Sequence, residues 1–293
     1  MKIKELLKLA ENRLDFGGID RAKQDSEILL EDFLQVDKAF LFLHMGDELD
    51  DKRCEGYLNT VDERASGKPL QYITNKQNFM GLELYVDERV LIPRPETETL
   101  VEHMLKRLET ERKGLGSIDI LDMCTGSGAI AVKLARDLPK SNIVAVDISG
   151  AALDVAEKNI ESQSLQKRIK LLEGNMFAPF KVKRNGKGKR TFDVIVSNPP
   201  YIATREIQKL DREVGEFEPV SALDGGPDGL DYYRTIAENA WRFLDKKGML
   251  FLEIGYDQGE SVPRLLEETE HYKDIKVIKD LSERDRIIEA ATI

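Results

Sequence analysis

The sequence predicts an α/β fold: a mostly parallel sheet with helices on both faces, preceded by a small helical domain. Two observations carry this. From Ile118 onward, short β-branched runs alternate with segments of helical period, and such alternation builds parallel sheets flanked by helices. Before about Tyr72, apolar residues recur instead at spacings of three and four, as on helices that pack against helices.

In residues 1–72, Leu6, Leu7, Leu9 and Ala10, then Ile28, Leu29, Leu30, Phe33 and Leu34, supply the helical faces. Gly17-Gly18-Ile19-Asp20 separates the first helix from the second, with Asp20 as the expected N-cap. Residues 73–90 change texture. Phe79, Leu82, Leu84, Val86 and Val90, interrupted at Gly81 and at Asp87-Glu88, read as a short hairpin linking two domains. In Leu91-Ile92-Pro93-Arg94-Pro95-Glu96-Thr97-Glu98, two prolines around an arginine predict a fixed, extended loop. A helix is expected behind it, from Thr97 to about Leu108. In the rest of residues 91–293, strands are expected at Ile118–Met123, Ile143–Asp147, Ile169–Glu173, Phe192–Ser197, Gly248–Ile254, Ile275–Lys279 and Arg286–Thr292. Helices are expected at Ala129–Leu138, Gly150–Ser162, Tyr232–Leu244 and Gly259–Glu268. Sheets of this kind bind ligands beyond the carboxyl ends of their strands.

Bulk properties exclude several classes. The 293 residues are 41% hydrophobic and 33% charged, the texture of a soluble globular protein. No apolar run reaches the roughly 18 residues of a membrane span. Glu5, Lys8, Glu11 and Asn12 interrupt the amino-terminal segment before a signal peptide can form, so the expected place is the cytoplasm, off membranes. Cys54 and Cys124 stand far apart, and His44, His103 and His271 are scattered, so neither a disulfide framework nor a metal site is expected. A net charge of −10 argues against broad contact with nucleic-acid phosphates. Residues 1–72 hold 11 basic and 16 acidic residues, which suits a protein-docking or substrate-positioning module and equally a structural cap. Lys181 to Arg190 is the exception, with six basic residues in ten: a solvated hairpin tip, or a local contact with RNA or an acidic protein.

The first expected strand runs into Asp122-Met123-Cys124-Thr125-Gly126-Ser127-Gly128. Gly126 and Gly128 let the backbone turn tightly and approach a ligand closely. The next strand ends in Asp147, 19 residues past Gly128, where a carboxylate can accept both hydroxyls of a ribose. A dinucleotide loop needs GxGxxG so that a helix N-terminus meets pyrophosphate. This loop reads CxGxG and suits a nucleoside cofactor without phosphate, S-adenosylmethionine. On that reading Cys124, Thr125, Gly126, Ser127, Gly128 and Asp147 hold the cofactor. Asn175, after the third strand, bonds the adenine edge and Met176 covers the ring, although ordinary core packing explains Met176 as well.

The fourth strand delivers Asn198-Pro199-Pro200-Tyr201. An amide nitrogen is a poor nucleophile because its lone pair is delocalised into the carbonyl. If the Asn198 side-chain oxygen and the Pro199 carbonyl each accept one N–H, the nitrogen is held with its lone pair aimed at a sulfonium methyl. The prolines fix that carbonyl in place, and Tyr201 offers an aromatic face to a planar group gaining positive charge. Asn198, at the end of a buried strand and downstream of the cofactor loop, is expected to touch cofactor and substrate alike. The tetrapeptide alone also serves methylation of an adenine amino group, and Asn-Pro-Pro is in addition a common turn.

Further stretches occur in one order with these motifs: Pro69-Leu70-Gln71-Tyr72-Ile73, Phe79-Met80-Gly81-Leu82, Val90 to Glu98, Glu218-Pro219, Ala222 to Leu230, and Glu253-Ile254-Gly255. Together they resemble the release-factor glutamine methyltransferase (PrmC/HemK) family, from about Gly67 to the C-terminus. The resemblance implies a seven-stranded Rossmann-like methyltransferase domain behind a small helical domain. It implies S-adenosylmethionine as cofactor and, as substrate, the glutamine amide in the Gly-Gly-Gln loop of peptide-chain release factors. Asn198, Pro199, Pro200 and Tyr201 would hold that glutamine, and Arg94, Pro95 and Glu96 would shape the mouth of the site. Cys124 and Asn75 stand where the family usually has glycine. A monomer with no direct nucleic-acid substrate is expected. The alternatives are an adenine-amino methyltransferase, which the acidic helical domain opposes, and a non-catalytic cofactor-binding scaffold.

Overall fold

The computed structural model describes residues 1–111, 116–180 and 190–293; of the basic stretch Lys181 to Arg190, all but Arg190 lies outside the described residues. Two compact units emerge: Met1–Lys76 with Asp211–Phe217, and Gln77–Leu210 with Glu218–Ile293.

The first unit holds α1 (Ile3–Phe16), α2 (Ala22–Leu34), α3 (Lys38–Leu43), α4 (Asp51–Ala65) and α5 (Leu70–Thr74). Leu6, Leu14, Leu29, Leu30, Tyr57 and Val61 form its buried centre. Asp37 and Asp50 cap α3 and α4 by accepting the N–H groups of Phe40 and Arg53. Asp20 does not cap α2: that helix starts at Ala22, after Arg21, and its first N–H bonds the Ile19 carbonyl. Arg64 is buried and fully engaged, donating to Asp25 at 2.7 Å, to the Lys68 carbonyl at 3.0 Å and to Glu213 at 2.6 Å.

The hairpin of β1 (Lys76–Phe79) and β2 (Leu82–Tyr85), which lies in the second unit apart from Lys76, precedes α6 (Pro95–Glu111). From Gln77 on, the stretch expected as a linker belongs to this unit: Phe79 and Leu84 are fully buried in its core. Asn159 of α8 (Gly150–Ser162) pairs with both the N–H and the carbonyl of Tyr85 and donates to the Ser127 carbonyl. The extended loop is shorter than expected because Pro95 starts α6. Its missing N–H is no loss in a first turn, where that group has no intrahelical partner.

The sheet is seven-stranded, in the order β5 (Ile169–Glu173), β4 (Ser141–Asp147), β3 (Ile118–Met123), β6 (Phe192–Ser197), β7 (Leu244–Glu253), β9 (Asp285–Thr292), β8 (Tyr272–Lys279). β3 to β7 are parallel, and β9 runs antiparallel to both of its neighbours. Alternate residues serve opposite faces. Ile120, Ile143, Ala145, Val194, Val196 and Phe251 face α6 and α7 (Ala129–Asp137). Leu121, Val144, Val146, Ile195, Leu250 and Leu252 face α10 (Asp231–Asn239) and α11 (Ser261–Glu267), while α9 (Arg212–Phe217) belongs to the first unit. The near-continuous apolar strands are thus explained by burial on both faces. Among the described residues no helix is long and apolar enough to cross a membrane.

Candidate active site

Both sequence motifs leave the carboxyl edge of the sheet from neighbouring strands. Met123 of β3 lies opposite Ser197 of β6, so Cys124 and Asn198 are the next residues out of adjacent strands. The Ser197 hydroxyl donates to the Met123 carbonyl at 2.8 Å and ties the two exits together. β4 and β5 lie to one side of β3 and β6 to the other, so chain order reverses here, and that reversal opens a crevice at the strand ends. A cleft that opens to solvent sits at these strand ends.

The glycine loop turns through left-handed backbone at Cys124 (φ 58°), Gly126 (φ 54°) and Gly128 (φ 78°). A Cβ added to Gly126 would meet no atom within 4 Å, whereas at Gly128 it would lie 3.2 Å from the Ala156 methyl. The first glycine keeps space open beside the loop, and the second lets α8 pack close. Asp147 at the end of β4 accepts the Gly126 N–H at 2.8 Å and the Ser149 N–H at 2.9 Å. Burial raises its carboxyl pKa, and these backbone N–H groups pull against that shift. Beneath the loop, the fully buried Asp122 accepts the Thr125 hydroxyl at 2.6 Å. Burial pushes its carboxyl up to about 7, against the pull of the Thr125 bond.

Asn198 is oriented from behind. Its Nδ2 donates to Thr97 Oγ1 at 3.1 Å, and that hydroxyl donates to Glu253 Oε2 at 2.7 Å. Thr97 is the third residue of α6 and Glu253 the last of β7, and both are buried. Burial pushes the Glu253 carboxyl up to about 7 and the Tyr201 phenol up to about 12, so the phenol stays neutral. Arg94 pairs with the buried Glu218, which also accepts the Ile92 N–H at 3.3 Å.

The cleft is lined by Cys124, Thr125, Gly126, Ser127, Asp147, Asn175, Met176, Asn198 and Pro200, so most of the expected positions meet in one place. Gly128, Pro199, Tyr201, Arg94, Pro95 and Glu96 are not in its wall. Tyr201 packs against the buried cluster under α10, its carbonyl accepting the Gln258 amide at 3.1 Å. Arg94 serves as a strut between the proline loop and Glu218. Pro93, Thr97, Ser149, Ser221 and Tyr232 also line the cleft. Ser149 was within reach of sequence reasoning, two residues past Asp147, while Tyr232 and Ser221 sit in or beside the Glu218–Leu230 stretch but give no local sign of their place.

Comparison with known proteins gives the family and the fold. Residues 5–74 match the PrmC N-terminal domain model, and residues 95–213 match the methyltransferase small domain model. A release factor glutamine methyltransferase of Moorella thermoacetica is 40% identical over 98% of this chain and 97% of its own length. Those of Clostridium acetobutylicum and Geobacter sulfurreducens are each 37% identical over 98% of this chain, covering 98% and 95% of theirs. The hMettl16 catalytic domain, solved with MAT2A 3'UTR hairpin 1, shares the fold at a TM-score of 0.55 and 15% identity, over 89% of this chain and 87% of that one. With a seven-stranded methyltransferase sheet, both motifs at one crevice and relatives of this identity along nearly its whole length, the chain belongs to the release factor glutamine methyltransferase family.

Proposed function

We propose that this enzyme moves the methyl group of S-adenosylmethionine to the side-chain amide nitrogen (N5) of the glutamine in the Gly-Gly-Gln motif of peptide-chain release factors. The observation that carries the reading is the exit of Cys124 and Asn198 from adjacent strands into one cleft. A methyl donor and a nitrogen held by Asn198 would thereby meet.

The residues present fit the cofactor. The Gly126 N–H, which a phosphate-binding loop would offer to its anion, is taken by the Asp147 carboxylate. Negative charge at this place disfavours a pyrophosphate and suits a diol, since each carboxylate oxygen can accept a further hydrogen bond. Asp147 would hold the ribose, Asn175 and Met176 the adenine, and the loop from Cys124 to Gly128 the remainder. When bound, S-adenosylmethionine supplies an electrophilic methyl on a sulfonium.

The chain's own part is positioning. Asn198 Oδ1 and the Pro199 carbonyl accept the two N–H groups of the glutamine amide, hold it in plane and stabilise the positive charge that grows on nitrogen. Tyr201 backs this contact with a neutral ring, and Pro200 and the Arg94–Glu218 strut shape the entrance. The helical first unit, which contains the PrmC N-terminal domain match, docks the release factor.

The test is transfer of labelled methyl from S-adenosylmethionine to a release factor or, separately, to unmethylated DNA, with the label located by mass spectrometry. Label on the Gly-Gly-Gln glutamine amide is expected. Label on adenine overturns the reading, and no label on either leaves a cofactor-binding scaffold.

A further inference from the structure

An asparagine amide has two nearly isosteric orientations, and only one of them suits this reaction. With Oδ1 toward the cleft it accepts an N–H from the substrate. Rotated by half a turn it presents its own NH2 to the substrate's NH2, donor against donor. The choice is made behind Asn198. An ionised carboxylate only accepts hydrogen bonds, so the bond from Thr97 Oγ1 to Glu253 Oε2, 2.7 Å, commits the hydroxyl proton to Glu253. The threonine oxygen can then only accept from Asn198, and Asn198 Nδ2 donates to it at 3.1 Å. Thr97 is 4% and Glu253 1% exposed, so solvent does not offer either a substitute partner.

We infer that Thr97 and Glu253 are positioning residues that fix the polarity of the catalytic asparagine, turning Oδ1 of Asn198 to the substrate nitrogen through a one-way chain of hydrogen bonds. The inference rests on the proposed methyl transfer to an amide nitrogen and adds the device that sets the acceptor for it.

The device depends on the charge of Glu253. A protonated Glu253 can donate to Thr97 Oγ1, freeing the hydroxyl to donate to Asn198 and letting the amide rotate. The charged and titratable groups around Glu253 are Arg286 from β9, Glu96 of α6 and Arg94 just before it, Tyr201 after β6 and Tyr233 of α10. Burial lifts the Glu253 carboxyl most, and Glu96 adds to this. The Thr97 hydrogen bond, Arg286 and Arg94 work against them, leaving it at about 7. Its ionisation therefore falls in the working range, and the acceptor orientation is favoured on the alkaline side.

The test compares wild type, Thr97→Val and Thr97→Ser, using labelled S-adenosylmethionine and a release factor. Valine keeps the branched shape and removes the hydroxyl; serine keeps the hydroxyl. Expected for Thr97→Val is a fall in kcat of at least roughly tenfold, equivalent to about 1.4 kcal/mol. The release-factor KM and the cofactor Kd should stay within about threefold, because both ligands are held by many other contacts, and Thr97→Ser should recover most of kcat. Wild-type kcat should rise with pH through about 7, and this rise should disappear in Thr97→Val. An unchanged kcat in Thr97→Val, or equal impairment of the serine and valine variants, overturns the inference. Should Thr97→Val fail to fold, Thr97→Ala is compared with Thr97→Ser in its place: equal kcat in those two variants overturns the inference. A wild type that moves no methyl group to the glutamine sinks the proposed function itself, which is a separate result.

Discussion

Asp122→Asn should make the protein more stable at neutral pH, and the gain should shrink as pH falls. Asp122 is wholly buried under the glycine loop; one carboxyl oxygen accepts the Thr125 hydroxyl, and the other finds no hydrogen-bond partner among the described residues. Burial raises its carboxyl from 3.8 to about 7, and nearby Asp147 adds to the shift. A raised folded-state value means that the folded protein holds the proton through a window in which the unfolded chain has released it. Stability is therefore lost as pH climbs from about 4 to about 7, and is level above that. The shift corresponds to roughly 4 kcal/mol in all, of which about 2.5 kcal/mol falls between pH 5 and pH 8. Asparagine cannot titrate and keeps the shape. Urea denaturation of both proteins at pH 5 and pH 8 isolates the effect, because every other ionisable group appears in both. The variant's stability relative to wild type should improve by about 2.5 kcal/mol on going from pH 5 to pH 8. A difference that is the same at both pH values would falsify the assignment of a proton to buried Asp122.

Asn198→Ala should abolish methyl transfer while cofactor affinity, by calorimetry, stays within roughly tenfold; equal loss of both would make Asn198 chiefly a cofactor ligand. Arg94→Ala should destabilise the protein by about 2 kcal/mol, since it leaves buried Glu218 without its guanidinium. Adding Glu218→Gln should return more than half of that in thermal or urea unfolding, and no return would mean that the strut acts by packing instead. Cys124→Gly should raise stability by up to about 1 kcal/mol by relieving a left-handed cysteine; a loss in the same assay would mean that the cysteine side chain packs more favourably than its backbone is strained.

The fold was legible where burial leaves a periodic trace. Strands buried over most of their length, such as Ile118–Met123 and Phe192–Ser197, are mostly apolar runs broken by single polar residues, and have the expected bounds. Strand ends that reach solvent are not marked in this way. β7 begins at Leu244 and passes through exposed Asp245, Lys246 and Lys247 before its apolar part, so its start was hidden. The short elements Thr204–Lys209, Arg212–Phe217 and Val220–Ala222, of six, six and three residues, are too short to show a period. Pro95 misled because proline stops a helix from within but opens one from its first position. Asp20 resembled a cap, but the Gly17 to Arg21 turn closes on its own backbone, and α2 begins beyond it.

The two departures from glycine noted in the sequence have one physical meaning. Asn75 and Cys124 both lie in left-handed backbone, at φ 56° and 58°. Asparagine tolerates that region and cysteine enters it with strain, so the usual glycines mark a backbone demand that this chain meets with side chains attached. That Cys124 to Ser127, Asp147 and Asn198 would line one cleft could be read locally, because each stands at or just past the end of an apolar strand. Thr97 and Glu253 could not, since Thr97 meets Asn198 across 101 residues of chain and Glu253 meets Thr97 across 156. The trace they leave is indirect: a lone carboxylate at the end of the apolar run Met249 to Leu252, where an ionisable group needs a buried partner. On the proposed mechanism the tetrapeptide names the residue that faces the substrate nitrogen, and a carboxylate two hydrogen bonds away, Glu253 through Thr97, sets which end of its amide does so.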